Sequence, residues 1–274
     1  MNDLQRHNQN RWNNLVANKV VCSLPYLSIT EEQAHNSISG HKWLGKLAGK
    51  KVLCLASGGG QQSMAFAKLG AEVSVTDLSD RQLEKDQEAS DSNKLPIRII
   101  QSDMRDFSHF QEDEFDIIYQ PYSINYVPDV REVFDGIARC LKQDGIYYLM
   151  FHNPISHGSW TNGSWGGPWK PEELWRGHAY PIRHPYQEGL AIQYESPNWL
   201  YTDREGVEHS VPAPQEFKHT LSTMINGLLN RNMHILQFQE CGLPSPEDMQ
   251  EIGSWEHYQG HAAPWFEMWT KKKG

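Results

Sequence analysis

What this 274-residue sequence lacks narrows its chemistry before any motif is considered. Cysteine is scarce, four in all at 22, 54, 140 and 241, and no CxxC pair occurs. That removes zinc-ribbon and dithiol-redox patterns and fits a reducing compartment. No predominantly apolar run approaches the ~20 residues a membrane-spanning helix needs. The opening Met-Asn-Asp-Leu-Gln-Arg-His lacks the apolar core of a secretion signal. A cytoplasmic protein with no membrane partner is expected. Basic charge is also short: 25 Lys and Arg against 34 Asp and Glu leave a net charge of -9, and the one basic run, Lys271-Lys272-Lys273, sits at the C-terminal end. No nucleic-acid partner is expected, because a polyphosphate ligand needs a basic face. Thirteen histidines include no HExxH motif, so no metal is expected. The dinucleotide pattern GxGxxG and the phosphate loop GxxxxGK[ST] are both missing, as are internal repeats.

What the sequence does have is the stretch Lys51-Val-Leu-Cys-Leu-Ala-Ser-Gly-Gly-Gly-Gln-Gln62. Val52, Leu53 and Leu55 make the short apolar run of a parallel strand covered on both faces. Gly58, Gly59 and Gly60 then supply backbone without side chains where a ligand must come close. Met64, Phe66, Ala67 and Leu69 carry a helical period that stops at Gly70, and a second strand over 71–76 leads to Asp77. An acidic residue at that strand tip holds ribose hydroxyls in nucleotide-binding α/β folds. The alternation continues. Ser79 and Gln82 read as a capping box opening a helix to about Ser90. Strands are expected at 97–100, 115–119 and 146–151, with a helix from Pro128 to Leu141 and a turn at Gly145.

Val52 to Gly60 resembles motif I of the class I S-adenosylmethionine-dependent methyltransferases. Asp77, Ser102-Asp103-Met104 and the segment after Tyr119 resemble the motifs that follow it. Cys54 stands where that family usually has an acidic residue, and Ala56 where its first glycine usually lies. The resemblance covers 51–152 closely and 214–270 in pattern. It implies an α/β fold: a Rossmann-like seven-stranded, mostly parallel sheet with helices on both faces and an antiparallel C-terminal strand pair. One methyltransferase domain is expected over 1–274. Its parts are an N-terminal helical lid (1–45), a cofactor-binding half (46–152), a substrate-lid insert (153–213), and a C-terminal helix and strand pair (214–274). In the lid, Thr30 and Gln33 read as a helix start, and the resemblance brings Trp12 or Tyr26 near the cofactor. The insert holds five of the ten tryptophans and no sustained periodicity. Its Trp160, Trp199 and Tyr201 are expected to shape the acceptor pocket, and a segment of that length suits a lid.

S-adenosylmethionine is the cofactor that the resemblance implies. Its expected contacts are Ala56, Ser57, Gly58, Gly60 and Gln61 at the first turn, with Asp77 on the ribose hydroxyls and Gln82 beside it. Leu78 and Met104 would flank the adenine, Asp103 would accept from its amine with Ser102 beside it at the end of the third strand, and Gln120 would end the fourth strand. Methyl transfer from a sulfonium is an in-line displacement, so positioning and water exclusion carry much of the rate. Where the nucleophile holds a proton, the catalytic candidates are His152, Tyr122 and Tyr126, followed by His219. Gln120-Pro-Tyr-Ser123 matches only part of the [DN]PP[YF] motif of enzymes that methylate nucleic-acid amino groups. The expected substrate is a small-molecule methyl acceptor, handled by a monomer or homodimer. The alternatives are a cofactor-binding protein without transfer, a nucleic-acid amino-group methyltransferase, and an NAD(P)-dependent oxidoreductase sharing the strand-glycine-helix-acid layout.

Overall fold

The computed structural model describes residues 1–38, 40–158, 179–194 and 197–274. Three helices precede the sheet. The first, α1 (Asp3–Ala17), is started by Asn2, whose side-chain oxygen accepts the Gln5 N–H while the Gln5 side chain accepts the Asn2 N–H. Thr30 and Gln33 open α2 (Glu31–Asn36) with the expected reciprocal box, and α3 (His41–Leu44) follows.

The frame then alternates strand and helix. β1 (Lys51–Leu55) leads to α4 (Gln62–Lys68), and β2 (Glu72–Asp77) to α5 (Asp80–Asn93). β3 (Arg98–Gln101), β4 (Phe115–Gln120), α6 (Arg131–Cys140) and β5 (Leu141–His152) complete the parallel half. Two short antiparallel pairs come next: β6 (Leu190–Ala191) with β9 (Phe217–Lys218), and β7 (Asn198–Thr202) with β8 (Glu208–Pro212). The chain finishes through α7 (Leu221–Leu229), β10 (Met233–Cys241), α8 (Trp255–His261) and β11 (Trp265–Lys272).

The seven-stranded sheet has the order β10-β11-β5-β4-β1-β2-β3, with β1 to β5 parallel and β11 antiparallel to both β5 and β10. This is the expected α/β fold. Both faces are covered. On one, Phe134 and Ile137 of α6 and Met224 and Leu228 of α7 pack on Phe151 and Met268; on the other, Phe66 of α4 and Leu83 of α5 pack with Val52, Tyr148 and Trp269. Full burial of side chains such as Phe134 and Phe151 contributes about 1.5–3 kcal/mol each. β1 lies between β2 and β4, so the chain leaves the sheet in opposite directions on its two sides and a crevice opens beyond the carboxyl ends.

Three departures from the sequence reading have a tertiary cause. β5 begins at Leu141 rather than after Gly145, because Leu141 is fully buried and pairs with Phe115 across a register irregularity. The C-terminal part expected from 214 opens its helix only at Leu221, behind a Thr220 cap, because Phe217 and Lys218 are drawn into pairing with β6. The insert contains a hairpin: β7 and β8 flank the turn Asp203-Arg-Glu-Gly206, where Asp203 Oδ1 accepts the N–H groups of Glu205 and Val207. Tyr201 and Val211 of this hairpin pack with Leu15 and Val20 beneath α1. Trp160 and the glycines at 163, 166 and 167 fall outside the described residues.

Candidate active site

The turn after β1 is bolted to β2 and α5. Ala56 adopts a left-handed φ of 46°, and the Ser57 N–H donates to the Thr76 carbonyl. The Gly58 N–H then donates to Asp77 Oδ2 at 2.9 Å, and the Gly59 N–H to Asp86 Oδ2 at 2.8 Å. A Cβ on Gly58 would sit 2.8 Å from the Gln82 Cβ, and one on Gly60 would sit 2.7 Å from the Lys85 carbonyl oxygen. Glycine is therefore required here by packing against α5 as much as by a ligand. Asp86 also accepts from Ser63, and burial pushes its carboxyl up to about 7 despite these donors.

Beyond this turn lies a cavity of about 260 Å³, roofed by Leu4, Gln5, Asn8 and Trp12 of α1. Ala56, Ser57, Gly58, Gln61, Asp77, Leu78, Gln82, Asp103 and Met104 line it, as expected of cofactor residues, and Tyr122 and Tyr126 line its far end. Gly60, Ser102 and Gln120 do not line it. Gly60 packs beneath the turn, its carbonyl accepting the Tyr26 N–H, and Tyr26 accordingly belongs to the core rather than the cavity. The Ser102 hydroxyl donates to the backbone oxygens of Asp103 and Asp106. Gln120 points into the protein, donating to Ser123 and accepting from the Tyr147 hydroxyl. Cys54 is fully buried in the core, and burial holds its thiol well above the ordinary range, so it anchors no ligand.

The cavity is rich in hydrogen-bond acceptors. Asp77 Oδ1 accepts the Ser79 N–H at 2.8 Å, a bond the expected capping box would have given to Gln82. Only half the box forms: Ser79 Oγ accepts the Gln82 N–H, and the Gln82 Oε1 is left buried without a partner. Asn8 Oδ1, across the cavity on α1, is also buried and unpartnered. Burial pushes the Asp77 carboxyl up, against the pull of the Ser79 and Gly58 N–H groups. Asp103 is more heavily engaged: Oδ1 takes the Arg105 backbone N–H and Nε, while Oδ2 takes Arg105 Nη2 and Gln5 Nε2. Those bonds occupy about all four lone-pair sites of the carboxylate.

At the far end, the Tyr122 hydroxyl donates to Glu216 Oε1 at 2.7 Å, and Tyr194 donates to Oε2. His157 Nε2 lies 3.5 Å from Oε2, and His152 Nε2 lies 3.9 Å from Oε1. His152 ends β5; its backbone N–H donates to Asn125, and its ring meets the Tyr122 ring edge-on, 4.9 Å between centroids. Burial disfavours charge throughout, pushing the His152 imidazole down to about 3, while donors from His157 and Tyr194 hold Glu216 below the usual carboxylate range. Burial likewise keeps the Tyr122 and Tyr126 phenols protonated. His219 is not at the cavity, because it is held by Glu188 and the Val127 carbonyl. Trp199 and Tyr201 are not there either: their rings flank Arg11, whose guanidinium donates to the Tyr201 hydroxyl and the Pro212 carbonyl.

The reading of the sequence missed Gln5 and Asn8, which share a face of α1 with the expected Trp12, and it missed His157, Tyr194 and Glu216 altogether. The α1 residues recur at helical spacing and could have been found that way. It also passed over one HxxxH pair, His257 and His261, on α8. There the rings lie 4.5 Å apart, with the His257 Nδ1 bonded to the Tyr180 hydroxyl.

Comparison with known proteins decides the family. A family model described as a methyltransferase domain matches residues 53–149. An uncharacterized methyltransferase of Bacillus subtilis, YbaJ, is 30% identical over 200 residues, covering 72% of this chain and 71% of that protein. The chain is a class I S-adenosylmethionine-dependent methyltransferase. A ubiquinone biosynthesis O-methyltransferase of Actinobacillus pleuropneumoniae is 33% identical over 107 residues, 38% of this methyltransferase and 46% of that one. A solved S-adenosylmethionine-dependent methyltransferase from Clostridium acetobutylicum shares the fold, with a TM-score of 0.59 at 15% identity over 90% of this chain and 94% of that chain. S-adenosylmethionine is the cofactor, and the cavity suits it. Ribose hydroxyls, an adenine amine and an ammonium group are all donors, which the unpartnered oxygens of Gln82 and Asn8 require.

Proposed function

We propose that this methyltransferase moves the methyl group of S-adenosylmethionine onto a small-molecule acceptor by in-line displacement, in the cytoplasm, as a monomer or homodimer. One observation carries the reading: a single cavity runs from the acceptors Asp77 and Gln82 to the ring pair Tyr122 and Tyr126, under the roof of α1. In this reading Asp77 takes the ribose hydroxyls, Leu78 and Met104 flank the adenine, and Gln82 and Asn8 take remaining donors. The adenine amine reaches Asp103 only by displacing Gln5. Bound there, the cofactor supplies an electrophilic methyl on a sulfonium. Tyr122 and Tyr126 then shape the acceptor end and exclude water, with His152 packed behind Tyr122 as a positioning residue.

A nucleic-acid acceptor is disfavoured by the net charge of -9 and by Gln120, whose amide is spent on Tyr147 and Ser123 instead of facing an exocyclic amine. No helix of the described residues is long and apolar enough to cross a membrane. The test is release of S-adenosylhomocysteine with a panel of phenols, thiols, amines and carboxylates beside single-stranded oligonucleotides. Turnover with a small molecule is expected. Turnover on the oligonucleotides alone would overturn the acceptor class, and cofactor binding without turnover on any acceptor would favour a binding protein.

A further inference from the structure

We propose that His152, His157 and Glu216 form a binding site for one divalent transition-metal ion of the zinc class, next to the cofactor cavity. The site is built from three pieces of chain. His152 closes β5. Asn153 then starts a turn, accepting the N–H groups of Ser156 and His157, which folds the His157 ring onto that of His152 with centroids 4.0 Å apart. Glu216 arrives from the residue before β9, where Phe217 is tied to the same region through Asn125.

The donor atoms of the three side chains all lie within 4.8 Å of one another, and none of the three side chains is more than 4% exposed. Tetrahedral coordination with bonds of about 2.1 Å sets ligand atoms about 3.4 Å apart. The observed 3.5 Å from His157 to Glu216 and 3.9 Å from His152 to Glu216 are close to that spacing, and the two imidazoles, stacked with 24° between their planes, must splay for both Nε2 atoms to face one ion. The surroundings match a metal centre's outer contacts. His152 Nδ1 faces the Pro264 carbonyl at 3.4 Å, which fixes the proton there and turns the Nε2 lone pair toward the carboxylate. Tyr122 and Tyr194 each hydrogen-bond one oxygen of Glu216. His157 Nδ1 is buried without a partner, and His157 Nε2 meets Glu216 Oε2, so a metal ion at Nε2 would take the place of the proton shared with the carboxylate.

Two imidazoles and one carboxylate suit zinc and its borderline neighbours rather than magnesium or calcium, which prefer oxygen throughout. Three protein ligands also leave a position open. Tyr122 joins this site to the cofactor, being bonded to Glu216 and lining the cavity. The site stands independently of which acceptor is methylated. Local spacing in the sequence does not mark this site, because His157 and Glu216 are 59 residues apart.

The test uses the full-length protein, stripped with a chelator, dialysed, and titrated with cobalt(II) chloride and then zinc sulfate. Near one equivalent of cobalt with the intense visible absorption of a low-symmetry site, displaced by zinc, is expected. His157→Ala and Glu216→Gln should each weaken cobalt binding at least about tenfold, whereas His261→Ala on α8 should not. Wild-type protein that takes up no cobalt or zinc overturns the proposal whether or not the variants fold. Equal uptake by His157→Ala, or loss of uptake in His261→Ala alone, also overturns it.

Discussion

Asp77 Oδ2 accepts the backbone N–H of Gly58 at 2.9 Å, so the carboxylate that ends β2 also fixes the glycine turn that follows β1. Its Oδ1 holds Ser79. With the Leu78 N–H also turned toward this carboxylate, some of its roughly four lone-pair sites are taken by backbone and the remainder face ribose hydroxyls. The geometry explains why the acid is needed whether or not cofactor is present.

Asp77→Ala should lower affinity for S-adenosylhomocysteine on the order of 100-fold, since each bond to a charged acceptor is worth about 1.5–3 kcal/mol. Asp77→Asn, which keeps an acceptor for Gly58, should lose less. Titration calorimetry on both reads the result, and unchanged affinity in the alanine variant removes Asp77 from the ribose site.

Gln82 separates binding from folding. Its Oε1 is buried with no partner, so replacing it with an apolar side chain of similar shape should not destabilise the protein. Gln82→Met should leave the unfolding midpoint in urea unchanged or raised while weakening cofactor binding roughly tenfold. A drop in stability with full affinity contradicts the assignment.

How much of this was legible follows from distance along the chain. Ala56 to Gly58, Asp77, Leu78 and Met104 belong to strand ends whose pattern is local, and all of them line the cavity. Gln82 was also found, but through a capping box that only half exists, because Asp77 takes the Ser79 N–H. Gln120 was misplaced because the sequence cannot say which way a strand-end side chain turns. Glu216 and His157 were invisible, since a buried carboxylate in a loop-rich stretch has no periodicity to mark it.

Asp86 should leave a mark on the pH dependence of stability. Its carboxyl is raised by burial from 3.8 to about 7, so the folded state holds a proton that the unfolded state releases. Its contribution is full below about 4 and is lost as pH rises to about 7. The difference in unfolding free energy between wild type and Asp86→Asn should therefore shift with pH across that window, in favour of the variant at the higher end. Parallel urea titrations from acid to neutral pH measure it, and a constant difference contradicts the raised carboxyl.

Arg11 latches the roof. Its buried guanidinium ties α1 to the β7–β8 hairpin through Tyr201 and Pro212. Arg11→Met should cost about 2 kcal/mol through the lost charged hydrogen bonds, and should speed amide exchange across residues 3–17. Unaltered exchange in that helix would place the roof's stability elsewhere.

A crystal structure of the complex with S-adenosylhomocysteine tests most directly whether one cavity serves both cofactor and transfer. The expected result has the ribose hydroxyls on Asp77, the adenine between Leu78 and Met104, and the sulfur facing Tyr122. Adenosine seated outside this cavity, or a sulfur turned away from Tyr122 toward the closed end of the glycine turn, would contradict it.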